Sequence, residues 1–595
     1  MTFSYSELAA RSQAIGSHFS PLSTDHAEAA ALLRGELTLK PHRLWRLPES
    51  PKWNENPFRE VNWVAQLHML RWLDPLRRRA DAGDPSGVDL WVATVTSWIE
   101  ANPPGRGRAT YSWGDMVEAV RAMIMCFGLP MLTEHRPEAL TVVLRSIEEH
   151  GRWLEDPKHV RKGNHALQQH QGLLVIGAVL EHEEWVDLAV ERMTAMLKTS
   201  YDEEGINEEG AVQYHQINYS WWSLTKRRVE LVRGAAPAEF RRIERAPLAL
   251  AHATRPDGTY ELIGDTEVFS LRGIPHPAVE FVASGGREGA PPPERVKTYA
   301  SGYVFGRSGW GDDDRPFSEH TFYSLRFGPQ NRIHGHVDGG SLTLFHRGAP
   351  VLVDGGKYAY DAVDPFRAHV LSRAAHNSVV VDGVEYDRTA EVTLTRSEIR
   401  EGGEDFELLD RGYAGVEIRR RVLVLWDLEA IVVIDDVTAE DPVTAAQVWH
   451  LEPSAGHRKE GAVVLSAQAT TKTWFAPVGE APEVSVVKGR TDPWQGWTSY
   501  RWREKTPTRT VLMAKTGNRL RLQTLIDFSG ADSAPEVTLH DNVAGTAAHV
   551  VSWTRPGQPV RSVAVGPGWF SRDSRGSSPD ALVRLGTDSF GVGPP

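Results

Sequence analysis

At 595 residues the chain is too long for one hydrophobic core, so two or three domains are expected. Its 41% hydrophobic and 24% charged content is ordinary for a soluble globular protein, and its net charge of −12 argues against a nucleic-acid partner and against capture of polyanions by bulk charge. The single cysteine, Cys126, excludes an intramolecular disulfide, and no window reaches the roughly eighteen uninterrupted apolar residues of a membrane span. The opening MTFSYSELAARSQAIGSHFS lacks a basic segment, apolar core and cleavage site, so a cytoplasmic location is expected, or a secreted or periplasmic one if a leader has been removed. Nothing in the composition decides between a monomer and a homodimer.

From about 24 to 290 the signals are helical. Trp63, Leu67, Leu70 and Leu73 are spaced for one helix face, as are Met116, Val120, Met123 and Phe127. Leu140, Val143, Leu144 and Ile147 follow Pro137, a residue that suits a helix start. Further helical runs cover 165–180, 184–197 and 216–232, joined by short polar loops, and together they read as an array of α-hairpins. In RKGNHALQQHQ a helix begins near Asn164, which suits an N-cap. EEGINEEGAVQYHQINYSWW breaks at glycines before Tyr214 opens an aromatic helix; the neighbouring Asp202, Glu203, Glu204, Glu208 and Glu209 read as a solvated acidic loop.

SGGREGAPPPERVK, at 284–297, reads as a linker, and after it the period changes to two. Thr321, Tyr323, Leu325 and Phe327 alternate with polar or smaller neighbours, and 422–427 with 430–436 make a hairpin. Residues 298–595 are read as stacked antiparallel sheets, with a separate small β-subdomain from about 455 left open. SRDSRGSSPD and the final GVGPP are expected to be poorly ordered. The fold class is therefore α+β and multidomain, helical in 1–290.

The densest chemistry lies in NRIHGHVDGGSLTLFHRGAPVLVDGG, residues 331–356, and AAHNSVVVDG, residues 374–383. If HGHVD is a strand, His334, His336 and Asp338 project from one edge. Asp354 ends an apolar run and His376 opens another strand. Two imidazoles and a carboxylate from separate strands suit zinc; calcium would want more oxygens. His336, Asp354 and His376 are the expected ligands, which leaves His334 free for chemistry.

This ordered set resembles the heparinase II/III family of polysaccharide lyases, in which an HGHxD, an LVD and an AHNxxxVDG segment follow in series. The resemblance implies an incomplete (α/α) toroid before an antiparallel β-sandwich, with an active site between the toroid cleft and the β-domain. It implies that His334 is catalytic and that His336, Asp354 and His376 hold a metal that braces the sheet. Asn164, His165 and Tyr214 match the family's toroid residues, LIGDTE at 262–267 resembles its GD segment, and YVFGRSGW at 303–310 its next strand. Where some members carry a carboxylate, this chain has Gln168.

The implied chemistry is β-elimination from a uronic-acid glycan, glycosaminoglycan-like or alginate-like. Such an enzyme must neutralise the carboxylate, remove the C5 proton and protonate the departing oxygen. Asn164 and His165 are expected at the carboxylate, Tyr214 first and His334 second at proton transfer. Arg121, Arg332, the Lys162 region and Lys226 to Arg228 are expected to supply local cations, and Gln168, Tyr358 and Tyr360 to line the substrate. A glycoside hydrolase, which needs two flanking carboxylates, a metallohydrolase and a non-catalytic glycan-binding protein using some of the 20 tryptophans are the alternatives.

Overall fold

A computed structural model describes residues 4–16, 22–312, 314–361, 363–400, 402–543, 546–574 and 576–590. It divides into two compact units, 1–201 with 218–243, and 202–217 with 244–595. The division therefore runs through the helix Val212–Arg233 and not through the linker at 284–297.

The first unit is helical. Its longest segments are Val117–His135, Leu140–Glu155, Gly163–Leu180 and Glu183–Ser200, each within a few residues of the periodicity read from sequence. Leu140–Glu155 is amphipathic, whereas Val117–His135 is buried from Val117 through Leu129 on every side. Such a helix is a centre for others to pack on. A Cβ on Gly172 would lie 2.8 Å from Ala119 Cβ, so small residues set the close approach of Gly163–Leu180 to this central helix. The face read through Leu70 and Leu73 is interrupted, because Leu70 adopts a left-handed backbone that ends the helix Val61–Met69.

Among the described residues the second unit contains three larger antiparallel sheets and two short two-stranded ones, Arg490–Thr491 with Trp494–Gln495 and Trp497–Thr498 with Thr506–Pro507. Five strands, from Val296–Tyr299 to Ala349–Leu352, form one; eleven form the largest; four, Glu536–His540, His549–Thr554, Arg561–Gly566 and Trp569–Asp573, form the third. The hairpin at 422–436 is part of Val416–Leu425 paired with Ala430–His450, Leu425 opposite Ala430. Val422 and Val424 pack in one core with Tyr323 and Leu344 of the five-stranded sheet. Leu423 and Leu425 pack in another with Val551, Trp553 and Val563 of the four-stranded sheet. The large sheet is thus covered on both faces, which is why VLVL is continuously apolar. Likewise Phe322–Arg326 is buried along its whole length, where alternation had suggested one polar face.

The longer strands from 456 to 527, namely Gly456–Glu460, Val463–Ala467, Lys472–Pro477, Glu483–Lys488 and Arg509–Asp527, belong to the eleven-stranded sheet, so no separate subdomain begins at 455; the four-stranded sheet starts at Glu536. Of SRDSRGSSPD, 571–573 end the strand Trp569–Asp573 and 579–580 open the helix Pro579–Phe590, while GVGPP lies outside the described residues.

Candidate active site

HGHVD is not a strand. Residues 331–341 form a turning loop between Gly328–Pro329 and Leu342–His346, with His334 at φ +57° and Gly340 at +79°. A left-handed residue breaks the two-residue alternation, so the three side chains go to different partners. His334 Nδ1 meets Glu209, His336 Nε2 meets Asp265 at 3.0 Å, and Asp338 accepts from buried Arg326 at 3.0 Å.

On the buried side, His336, Asp354 and His376 each offer a ligand atom within 4.8 Å of the others. Asp354 follows the strand Ala349–Leu352, and His376 follows a short 3-10 turn before Val379–Val381. His376 Nδ1 lies 2.8 Å from Asp354 Oδ2. His336 Nδ1 and His376 Nε2 are buried without a hydrogen-bond partner among the described residues. Buried nitrogens left unsatisfied beside a carboxylate fit a cation that takes nitrogen and oxygen ligands. Asp265 fixes the ring of His336 from behind and also receives both terminal nitrogens of Arg367, at 2.5 and 2.9 Å. Burial would raise the Asp265 carboxyl, but the hydrogen bonds from His336 and Arg367 outweigh it and hold it low.

On the open side, Tyr214 stands in the first turn of Val212–Arg233. Its ring stacks on the His334 imidazole, centroids 3.6 Å apart and planes 10° from parallel. Its hydroxyl hydrogen-bonds that of Tyr360. His334 Nδ1 donates to Glu209 Oε2 at 2.6 Å, leaving Nε2 without a partner among the described residues. Glu209 is 5% exposed and His334 22%. The acidic run is therefore not a wholly solvated loop: its last member is buried and committed to a histidine.

Close backbone packing makes this possible. Gly210 N donates to Ile333 O and Asp265 N to His334 O, both at 2.8 Å. A Cβ on Gly264 would fall 2.5 Å from both Gly210 O and His334 O, and Gly264 has φ +59°. Only glycine fits there. Lys357, paired with Glu267 at 2.9 Å, lies 5.8 and 5.4 Å from the rings of Tyr214 and Tyr360. Despite that cation, burial raises the Tyr214 hydroxyl above the usual phenol value, and the carboxylates of Asp265, Glu209 and Glu267 add to it; burial raises Tyr360 as well. Tyr214 is thus held protonated, not poised as a phenolate.

In the first unit, the helix opens at Gly163 with Lys162 as N-cap, so Asn164 sits inside the first turn and does not cap. Exposed His165 is hydrogen-bonded through Nδ1 to Asp115, a partner not foreseen from sequence, and this bond is the main cause holding the Asp115 carboxyl low. Gln168 is 4% exposed. Arg121 is fully buried, bonded to His150, His68 O and Ser112 O; it is a strut between helices and not a substrate contact. Arg228 is buried on Gln171, and Lys226 pairs with Glu230. In the second unit, Arg332 is occupied by Ser301 O, and Tyr358 is buried with its hydroxyl on Asp364 at 2.9 Å. Of the expected substrate contacts in this unit, only Tyr360, 46% exposed, stands beside Tyr214.

These features define an α+β protein with a helical array followed by stacked antiparallel sheets and a His–Tyr cluster beside a His–Asp–His group. Two family patterns match it, Heparinase II/III N-terminus over residues 21–272 and Heparinase II/III-like, C-terminal, over 290–540. The chain belongs to the heparinase II/III family. Over 391 residues it is 22% identical to a heparin-sulfate lyase of Bacteroides stercoris, a match covering 58% of each chain. The fold is that of a heparan sulfate lyase HepC mutant from Pedobacter heparinus (TM-score 0.75, 17% identity, 94% of each chain). It is more distantly that of the chondroitin AC lyase of Streptomyces coelicolor A3 (TM-score 0.53, 10% identity, 96% of this chain and 94% of that one). The architecture is thus an (α/α) toroid followed by a β-sandwich.

Proposed function

We propose that this protein is a polysaccharide lyase that cleaves uronic-acid-containing glycans of the glycosaminoglycan class by β-elimination. The observation that carries the reading is the Tyr214–His334 stack, with Glu209 behind the imidazole. A buried carboxylate on Nδ1–H fixes the tautomer and turns Nε2 outward as a proton acceptor. His334 takes the C5 proton, and the electrons of that C–H bond move into the carboxylate as an enolate. They return to form C4=C5 as the C4–O bond breaks, and the protonated Tyr214 hydroxyl gives its proton to the leaving oxygen. Asn164 and His165 enter through the motif resemblance, as donors to the substrate carboxylate. The raised Tyr214 hydroxyl supports the role of acid better than that of base.

His336, Asp354 and His376 would hold a structural zinc, which supplies positive charge that fixes the loop behind His334. A hydrolase is less well supported, because the carboxylates nearest Tyr214 are engaged: Glu209 by His334, Asp265 by Arg367, Glu267 by Lys357.

The test is ultraviolet absorbance during incubation with heparan sulfate, hyaluronan, chondroitin sulfates, alginate and glucuronan. A rise from the unsaturated uronate, lost in Tyr214→Phe, is expected. Chain shortening without that absorbance would overturn elimination.

A further inference from the structure

Of the cations expected to hold an acidic sugar, Arg121, Lys226, Arg228 and Arg332 are engaged elsewhere in a chain of net charge −12. The second unit offers a candidate grip in the segment 498–505. Residues 354–358 run alongside 498–503: Gly356 bridges Ser499, Ser499 N donates to Gly355 O at 2.9 Å, and Arg503 N to Tyr358 O at 2.8 Å. A Cβ on Gly356, at φ +74°, would lie 1.9 Å from Ser499 O, so the two segments touch backbone to backbone. On the other flank Tyr500 O receives Val268 N at 3.0 Å, and the Tyr500 hydroxyl donates to Glu452 at 2.5 Å.

This clamped backbone carries exposed side chains. Trp502 is 39% exposed, whereas eight other tryptophans are fully buried. Its ring lies 5.1 Å from Tyr360 at 61°, and Tyr360 is hydrogen-bonded to Tyr214. Arg501 and Arg503 flank it, both exposed and neither guanidinium paired with a described residue. An open indole offers an apolar face to a sugar ring. A guanidinium matches carboxylate or sulfate bidentately. Lys357, paired with Glu267, lies 5.5 Å from the Trp502 ring.

We propose that the loop Tyr500–Lys505 is a substrate subsite, in which Trp502 stacks on a sugar residue next to the scissile bond while Arg501 and Arg503 bind its carboxylate or sulfate. The role as a subsite of a lyase rests on the function proposed above; the binding itself does not. All the side chains to be changed are exposed, so the fold should tolerate their loss.

The experiment measures binding and cleavage separately. Calorimetric titration of Tyr214→Phe with sulfated and desulfated heparan oligosaccharides gives affinity without turnover, and kinetics give kcat and KM. Adding Trp502→Ala is expected to weaken binding about tenfold for both ligands, the scale of losing one aromatic anchor. Arg501→Gln with Arg503→Gln is expected to weaken the sulfated ligand more and to flatten its salt dependence. In the otherwise native protein KM should rise with kcat nearly unchanged. Unchanged affinity in both variants, with melting temperature also unchanged, would overturn the subsite and leave the lyase standing. Binding that depends on Trp502 without any unsaturated product would keep the subsite and overturn the lyase. If the protein neither binds nor cleaves these ligands or the rest of the uronate panel, both fall.

Discussion

His334 and His336 are two residues apart and occupy opposite environments. His334 is partly open, left-handed in backbone, stacked on Tyr214 and backed by one carboxylate. His336 is buried, tied to Asp265 and directed at Asp354 and His376. The same side chain serves as a candidate base in one place and a candidate ligand in the other. Solvent access to the second nitrogen distinguishes them, not the identity of the first partner, which is a carboxylate in both cases.

Substitutions can break that comparison in order of size. Tyr214→Phe is expected to lower kcat by about 10² to 10⁴, with no change in melting temperature, since the ring remains stacked. Comparing unsaturated-product formation with a thermal melt checks it, and a stability loss as large as the activity loss would place Tyr214 on the bracing side. Because its hydroxyl is raised by burial, the donor should persist through neutral pH. Deprotonation would abolish the acid only above the ordinary phenol range, so an alkaline fall in rate below about pH 9 would assign proton donation to another group.

Glu209→Gln should cost about 10- to 100-fold in kcat with KM little altered, as expected when a partner that orients a reacting histidine loses its charge. Glu209→Asp should recover part of the loss. A change in KM alone would mean that Glu209 shapes the pocket and does not act through His334.

The buried side should answer in the opposite currency. His336→Ala is expected to lower the melting temperature and abolish stoichiometric zinc measured by elemental analysis, with a smaller fall in kcat than in Tyr214→Phe. Chelation of the native protein should reproduce the melting shift without further effect in the variant. Full thermal stability after both treatments would remove the bracing role.

The grouping of His336, Asp354 and His376 was legible in the sequence because each stands in a short motif that carries its own context. The change of period near 290 likewise marked where strands begin, since burial on one or two faces leaves a readable pattern. The strand assigned to HGHVD failed because alternation of polar residues is shared by strands and by glycine-rich turns; Gly335, Gly339 and Gly340 were the available signal. Glu209 looked like one more acid in an acidic run, and nothing local says which member will be buried. The role of Arg121 as a strut and the pairing of 354–358 with 498–503 depend on contacts far apart in sequence, which no local window contains.

The pairing of Gly356 with Ser499 has an evolutionary consequence. One short stretch begins at Asp354, in the buried group, and ends at Tyr360, on the surface, and the loop beside it is held by main-chain bonds that no side-chain change removes. The exposed side chains of 501 to 503 can therefore change in size and charge, proline apart, while the main-chain bonds at Ser499 and Arg503 remain. A lineage could exchange one acidic sugar for another there, with the chemistry of Tyr214 and His334 left untouched.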